Sequence, residues 1–243
     1  MSTIDKALDA LFLLVNQPGA LRLTDVARAL AMPRSSAHRV LAPLLRRGLV
    51  EQDAQGRYQV GFGLVALGLG AAAREPLALA ARPLLEAAAD ELGETFFLVV
   101  ARAGRLRVLE KAEGNGFLRA APQLGANVPV HATAVGKLFL AHAPEAVEQG
   151  ELTPYTAATR HTPETLAADV ARARADGYAL NDQEWQAGLA VVAAPLFVRA
   201  ALVGAVALAM VAPRLHELGE QAAARRVIHT AEGIALRMEG AGS

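Results

Sequence analysis

Hydrophobic residues recur at helical spacing along the first 46 residues and predict three helices. The first helix ends near the Asn-Gln-Pro-Gly sequence at 16–19 and is marked by Ile4, Leu8, Leu11, Phe12 and Val15. A short second helix covers 24–30, with Thr24 as its N-cap. After a turn, Pro33 suits the first position of a third helix, Arg34 to Arg46, which would bury Ala37, Val40, Leu41, Leu44 and Leu45.

One residue conflicts with that third helix. Pro43 falls inside it, where a proline costs about 3 kcal/mol, so we expect a kink there or an early end. Beyond the helix, 50–52 and 57–60 read as two strands around the turn Asp-Ala-Gln-Gly.

Two helices joined by a tight turn and followed by a hairpin are typical of a winged helix-turn-helix, a fold that places its second helix in the major groove of DNA. A helical hairpin in another kind of domain is the alternative, but the spacing, the turn and the hairpin agree with one another. The candidate DNA contacts are the polar residues left on the outer side of the third helix, together with one arginine on the wing: Arg34, Ser35, Ser36, His38, Arg39 and Arg57.

The segment 62–92 is again helical in pattern and rich in Ala and Leu. Prolines at 76 and 83 predict a broken helix rather than one rod. So apolar a segment beside a small DNA-binding module is more easily explained as a dimer contact than as a solvated surface.

From Glu94 the periodicity changes. The runs 95–102 and 105–111 flank Ala-Gly and predict a β-hairpin, and a short strand follows at 117–121. Helices are expected at 131–143, 163–176 and 217–238, with strands at 190–198 and 202–211 between the last two. The predicted fold class is therefore α+β, with an antiparallel sheet in the C-terminal part.

Composition adds limits. The 243 residues carry no net charge, yet 1–60 hold eight Lys and Arg against five acids, which agrees with a small nucleic-acid-binding module. There is no cysteine, so disulfides and thiolate metal sites are excluded. No signal peptide or membrane span is evident, and we expect a soluble, cytoplasmic protein.

Catalytic machinery is hard to assemble from these residues. Serine occurs only at 2, 35, 36 and 243, which excludes a serine or cysteine nucleophile beyond the wing. The histidines lack metal-binding spacings, so neither a metal nor a cofactor is expected. Asp182 and Glu184 could serve acid–base work, although a solvated loop is the expected setting. The helix start near Thr133 could bind an anion through its free amides, or Thr133 could simply cap it.

Taken together, several motifs resemble the IclR family of bacterial transcription factors over essentially the full length. They are Pro-Arg-Ser-Ser-Ala-His-Arg at 33–39, Val-His-Ala-Thr-Ala-Val-Gly-Lys at 130–137, Tyr155-Thr156 through Thr159, Gly177-Tyr178 with Glu184 and Gly188, and Ala-Ala-Pro-Leu at 193–196.

The resemblance implies a winged helix-turn-helix at 1–61, a linker helix used in dimerisation at 62–92, and a GAF-like effector-binding domain at 93–243. It implies a homodimer, or a dimer of dimers, on a palindromic operator in double-stranded DNA, regulated by a small molecule. The positions that match the family's effector contacts are Phe117, Ala120, Val128, Ala134, Val135, Gly136, Asn181, Val191, Ala209 and Val211.

This chain departs from the family pattern at several of those positions. Val191 stands where Cys, Ser or Ala is common, and Ala209 and Val211 replace the serines of relatives that bind small oxoacids. The expected effector is therefore a monocarboxylate with an aromatic or branched aliphatic body. It would be held by the amides of 134–136, with Asn181 as the one polar side chain. A small-molecule enzyme with an accessory DNA-binding domain and an effector-less DNA-binding oligomer are the alternatives, and repression is expected over activation.

Overall fold

The structure is a computed structural model that describes residues 2–116 and 122–240. The chain forms two units, Met1–Glu75 and Pro76–Ser243, and each is described by itself. The division falls inside the apolar segment 62–92, whose first helix belongs to the first unit and whose second helix belongs to the second. Within the described residues no single helix is long and apolar enough to cross a membrane; only a bent pair, Phe62–Ala72 with Pro76–Leu92, meets the length and composition of a span.

The first unit consists of α1 (Thr3–Val15), α2 (Leu23–Ala29), α3 (Arg34–Arg46), β1 (Val50–Gln52), β2 (Tyr58–Val60) and α4 (Phe62–Ala72). The two strands pair antiparallel, and Leu21 extends the hairpin because its backbone exchanges hydrogen bonds with Tyr58. Its core is small and is formed by Ala10, Leu14, Val26, Val40, Leu41, Leu44, Val50 and Tyr58. This is the predicted winged helix-turn-helix.

Helix boundaries in this unit differ from the sequence prediction in three places. The N-cap of α2 is Arg22 rather than Thr24, and the Asp25 carboxylate accepts the Arg22 amide at 3.3 Å. Pro33 is the N-cap of α3 rather than its first residue. Of the kink or early end expected at Pro43, the early end does not occur: α3 continues to Arg46 as predicted, with Pro43 on its exposed side.

Two helices of the first unit expose apolar side chains. On α1, Ile4, Leu8, Phe12 and Val15 are exposed, whereas Ala10 and Leu14 face the core. No residue of α4 is buried, and Phe62 and Leu69 are 72% and 64% exposed. The residues that predicted the first helix therefore mark mostly a surface rather than the core.

The second unit is built on one antiparallel sheet of six strands in the order β5-β4-β3-β8-β7-β6. Its elements are α5 (Pro76–Leu92), β3 (Thr95–Arg102), β4 (Arg105–Ala112), β5 (Asn127–Val128), α6 (Ala134–His142), a 3-10 turn (Pro144–Ala146), α7 (Pro163–Asp176), β6 (Ala179–Asp182), β7 (Leu189–Val198), β8 (Ala201–Val211), α8 (Ala212–Leu218) and α9 (Glu220–Gly240).

Helices cover both faces of this sheet. Alternate strand residues such as Phe96, Leu208 and Met210 pack with α5 and α9, while their neighbours Phe97, Ala207 and Ala209 face α6. Because both faces are buried, β3, β7 and β8 are almost continuously apolar, whereas β4 alternates between buried and more exposed residues. Helix α6 is itself almost fully buried.

Most predicted elements of the second unit are present, with several corrections. The helix expected at 131–143 begins only at Ala134, the last helix begins at Glu220 behind a separate α8, and no break occurs at Pro83. Strands β5 and β6, at two and four residues, are too short to have left a pattern. The strand expected at 117–121 lies outside the described residues.

Candidate nucleic-acid interface and ligand cavity

Helix α3 presents one polar face to solvent. Arg34, Ser35, His38 and Arg39 are exposed and Ser36 is half-buried, because the opposite face of the helix is anchored in the core. The side chains of Arg34, His38 and Arg39 make no hydrogen bond or ion pair with any described part of the chain. They are therefore available to a partner.

The wing arginine has a different setting. The Arg57 Nε lies 2.7 Å from the Asp53 Oδ2, and the amides of Gln55 and Arg57 both donate to the Asp53 Oδ1 at 2.9 Å. These hydrogen bonds, with the nearby guanidinium, lower the pKa of Asp53. The Arg57 side chain is 44% exposed, so it remains on the surface, but it forms an ion pair with Asp53 in the turn between the two strands. The sequence did not reveal this pairing.

The second unit contains a mostly apolar cavity of about 500 Å³ beside the start of α6, which we term the apolar cavity. Its walls come from the sheet, from the start of α6 and from the loop between β6 and β7. The lining residues are Phe97, Pro122, Val128, Thr133, Val135, Trp185, Gln186, Ala187, Gly188, Leu189, Val191, Ala209, Met210 and Val211. Its volume lies in the range of small-molecule sites, about 300–1,000 Å³.

Half of the positions named from the resemblance meet in this cavity. Val128, Val135, Val191, Ala209 and Val211 line it. Ala134 is fully buried in α6 and does not line the cavity. Phe117 and Ala120 lie outside the described residues.

Asn181 and Gly136 need correction. The Asn181 side chain donates to the Ala132 carbonyl at 3.1 Å and accepts the Glu184 amide at 2.8 Å, and it is fully buried and does not line the cavity. The Gly136 amide donates to the Thr133 Oγ1 at 3.1 Å, the capping arrangement that competed with the anion site. A side chain at Gly136 would collide with the Val130 carbonyl, which explains the glycine. The amides of Ala134 and Val135 have no backbone partner among the described residues.

The loop at 185–189 supplies the wall that sequence reasoning missed. It brings Trp185, the only tryptophan of the chain, and Gln186 to the cavity, and both side chains carry N–H donors. A lone tryptophan three residues before a glycine, in a segment between two strands, could have indicated a ligand-binding loop, because tryptophan combines a large apolar surface with one polar atom.

A second, polar cavity of about 250 Å³ lies beside a buried ion cluster. The Lys137 Nζ lies 2.7 Å from the Asp169 Oδ2 and 2.5 Å from the Glu184 Oε1, and it donates to the Leu180 carbonyl at 3.1 Å. Burial raises the pKa of Glu184 against the effect of Lys137. Burial also acts on Asp169, but Lys137, Arg160 and Arg172 outweigh it and lower the Asp169 pKa. Glu184 is only 5% exposed, so it does not lie in the solvated loop that the sequence predicted for it. Across the described ranges no group of three or more His, Asp or Glu side chains could hold a metal ion.

Family models match both units. The IclR helix-turn-helix domain matches residues 3–54, and the C-terminal domain of bacterial IclR transcriptional regulators matches residues 70–236. The chain belongs to the IclR family. As a member of it, the protein is a DNA-binding transcriptional regulator and not an enzyme.

Individual relatives agree with that assignment. The regulator BhcR of Paracoccus denitrificans is 35% identical over 200 residues, covering 80% of this chain and 71% of that protein. The transcriptional repressor IclR of Escherichia coli is 27% identical over 205 residues, covering 81% and 75%. Among solved structures, an IclR homologue of Microbacterium hydrocarbonoxydans complexed with 4-hydroxybenzoate has the same fold, with a TM-score of 0.83 and 23% identity over 98% of this chain and 100% of that one.

Proposed function

We propose that this IclR-family regulator is a homodimeric repressor, acting in the cytoplasm on a palindromic operator and controlled by a small monocarboxylate with an apolar body. The apolar cavity carries the ligand part of the proposal. The polar face of α3 supports the DNA-binding part, and the exposed apolar helices of the first unit support the dimer.

The DNA surface follows from α3. Its start presents the Arg34 and Ser35 side chains to solvent, and Arg39 follows on the same exposed face. Residues at the start of such a helix reach base edges in the major groove, and arginine pairs with guanine through two donors. Arg57 on the wing suits the sugar–phosphate backbone, because its Nε–H is already held by Asp53 while the rest of the exposed guanidinium can still donate to a phosphate.

The dimer follows from α1 and α4. Several large apolar side chains on these two helices are exposed, among them Phe12 at 67% and Phe62 at 72%. Large apolar side chains exposed along a helix in this number usually mark an interface. A second copy of the chain is the partner that also gives two recognition helices, as a palindromic operator requires. Assembly into a dimer of dimers would extend the same arrangement.

The ligand class follows from the cavity. Phe97, Val191 and Val211 offer apolar surface to a body of matching kind. The free amides of Ala134 and Val135, at the positive end of α6, favour one anionic group, and Val135 itself lines the cavity. Trp185 and Gln186, rather than Asn181, supply the polar side chains. A glyoxylate-like acid has too few carbon atoms to bury much of this apolar surface, so it should bind more weakly than an acid with a larger apolar body.

The proposal is tested in two steps. Duplexes that bind the protein are selected from random DNA, and the enriched sequences should contain inverted half-sites. Thermal-shift measurements with benzoate, 4-hydroxybenzoate, isovalerate, pyruvate and glyoxylate should then show stabilisation by the first three, and these acids should change affinity for the selected duplex. Enrichment without any response to the acids would favour the effector-less oligomer, and turnover of a bound acid would revive the enzyme reading. If the acid makes the protein release the selected duplex, the result supports a repressor whose repression is relieved by its ligand.

A further inference from the structure

Residues from several of the family motifs, among them Lys137, Thr159 and Glu184, form one hydrogen-bond network next to the residues that line the apolar cavity. The network centres on Glu184, the last residue before the cavity wall 185–189. Its carboxylate accepts from the Lys137 Nζ, its amide donates to Asn181, and its carbonyl accepts from the Thr159 hydroxyl at 2.6 Å and the Thr156 hydroxyl at 3.3 Å. Three other segments of the unit thus hold this one residue.

The network also ties two walls of the cavity together. Lys137 belongs to α6, whose first turn carries Thr133 and Val135 into the cavity. Its 2.5 Å contact with Glu184 therefore joins the α6 wall to the loop wall. The loop is tightened further by Gln183, whose side chain accepts the Gly188 amide at 3.1 Å and whose φ is 60°.

We propose that Glu184 is a positioning residue for the ligand: held by Lys137, it fixes the 185–189 wall against the start of α6 and so sets how tightly the apolar cavity binds. The inference rests on the proposed ligand function of that cavity. A contribution to stability alone is a poorer account of Glu184, because a buried ion pair is often no more stabilising than well-packed apolar residues of similar volume would be. The Glu184 Oε2, moreover, is buried without a hydrogen-bond partner in the described structure.

The test compares two variants that each remove one carboxylate from Lys137. Glu184→Gln alters the residue that leads into the wall, whereas Asp169→Asn alters a residue on α7 outside it. Benzoate binding by calorimetry should weaken about tenfold in Glu184→Gln, a size typical of residues that act on a site from outside. It should stay at the wild-type value in Asp169→Asn.

Trp185 gives a readout that needs no ligand. As the only tryptophan, it alone reports the wall, and in ligand-free Glu184→Gln its emission should shift to the red and its quenching by acrylamide should increase. Asp169→Asn should leave both unchanged. Wild-type fluorescence together with wild-type affinity in Glu184→Gln, or equal changes in the two variants, would overturn the inference.

Two further arms keep the outcome clear. If Glu184→Gln does not fold, Thr159→Val removes the 2.6 Å hydrogen bond to the Glu184 carbonyl, together with those from the Tyr155 and Thr156 amides, and should act in the same direction. If benzoate does not bind the wild-type protein, the proposed ligand class fails, and the Trp185 fluorescence arm still decides whether Glu184 fixes the wall.

Discussion

The two units treat their apolar residues in opposite ways. The first unit buries a small core and leaves Phe12, Phe62 and Leu69 in solvent. The second covers both faces of its sheet with helices and keeps its apolar space inside, as a cavity beside α6. Of its large apolar side chains in the described range, Leu236 on α9 is the most exposed.

This difference separates the two kinds of partner. Exposed apolar helices and arginines without an ion-pair partner in the described structure suit macromolecules, here DNA and the second chain that we propose, because both surfaces face outward. An apolar cavity of this size suits a molecule small enough to enter it. We therefore expect substitutions in the first unit to affect assembly and DNA binding, and substitutions in the second unit to affect ligand binding and stability.

The largest effect is expected at the dimer contact. Leu69→Asp should give a monomer or an aggregate, because an unpaired charge buried between subunits costs several kcal/mol. Light scattering gives the mass. Leu236→Asp is the matched control, since Leu236 is 71% exposed against 64% for Leu69 but lies in the second unit. A soluble Leu69→Asp variant with the wild-type dimer mass would show that α4 is not the contact.

The contrast between units also shows where sequence reasoning succeeds. The helix-turn-helix, the wing and the long hairpin of the second unit were predictable because their periodicity and turn residues are local. The α3 range Arg34–Arg46 was predicted as found. The spacing of Ile4, Leu8 and Phe12 could not show which side of α1 meets the core. This helix has apolar residues on two sides, and both sides have the same helical spacing.

The cavity was predictable only in part. Val128, Val191 and Ala209 came from the resemblance, and the structure brings them together. Asn181 does not line the cavity, because its amide nitrogen donates across 49 residues to the Ala132 carbonyl. Such long-range pairing leaves no trace in local spacing. The same holds for Lys137 and Glu184, which are 47 residues apart.

The DNA surface should respond differently at its two arginines. Arg39→Ala should weaken binding to the selected operator by about 1–3 kcal/mol and leave binding to unrelated duplexes nearly unchanged, as expected for a base contact. Arg57→Ala should weaken both and lower the salt dependence by about one unit of slope. Fluorescence anisotropy over a salt series measures both. Wild-type affinity and slope in both variants would place the interface on another surface.

In the second unit, a pH effect should separate the two carboxylates on Lys137. The folded-state pKa of Asp169 is lowered, so its ionised form stabilises the fold at neutral pH, and this contribution is lost as the pH falls below the ordinary aspartate value of about 4. Asp169→Asn should therefore cost about 1–3 kcal/mol near neutral pH and progressively less in acid. Urea unfolding followed by Trp185 fluorescence reports this unit. Asp176→Asn, an exposed change on the same helix, is the control, and an equal loss at every pH would contradict the assignment.

The smallest effect is expected in the apolar cavity, where each methylene added to a ligand should change its affinity only slightly. In a series of carboxylic acids that grow by one methylene, affinity should rise by about 0.8 kcal/mol for each group that becomes buried, until the cavity is filled. Val191→Ser places a hydroxyl in the wall. It should weaken the apolar acids and narrow their advantage over pyruvate, because part of the apolar surface is lost and a polar partner is gained. Calorimetric titration of the series against both proteins measures the slope. Affinity that is flat along the series, or tightest for the smallest oxoacid, would mean that the apolar residues at 191, 209 and 211 do not select the ligand.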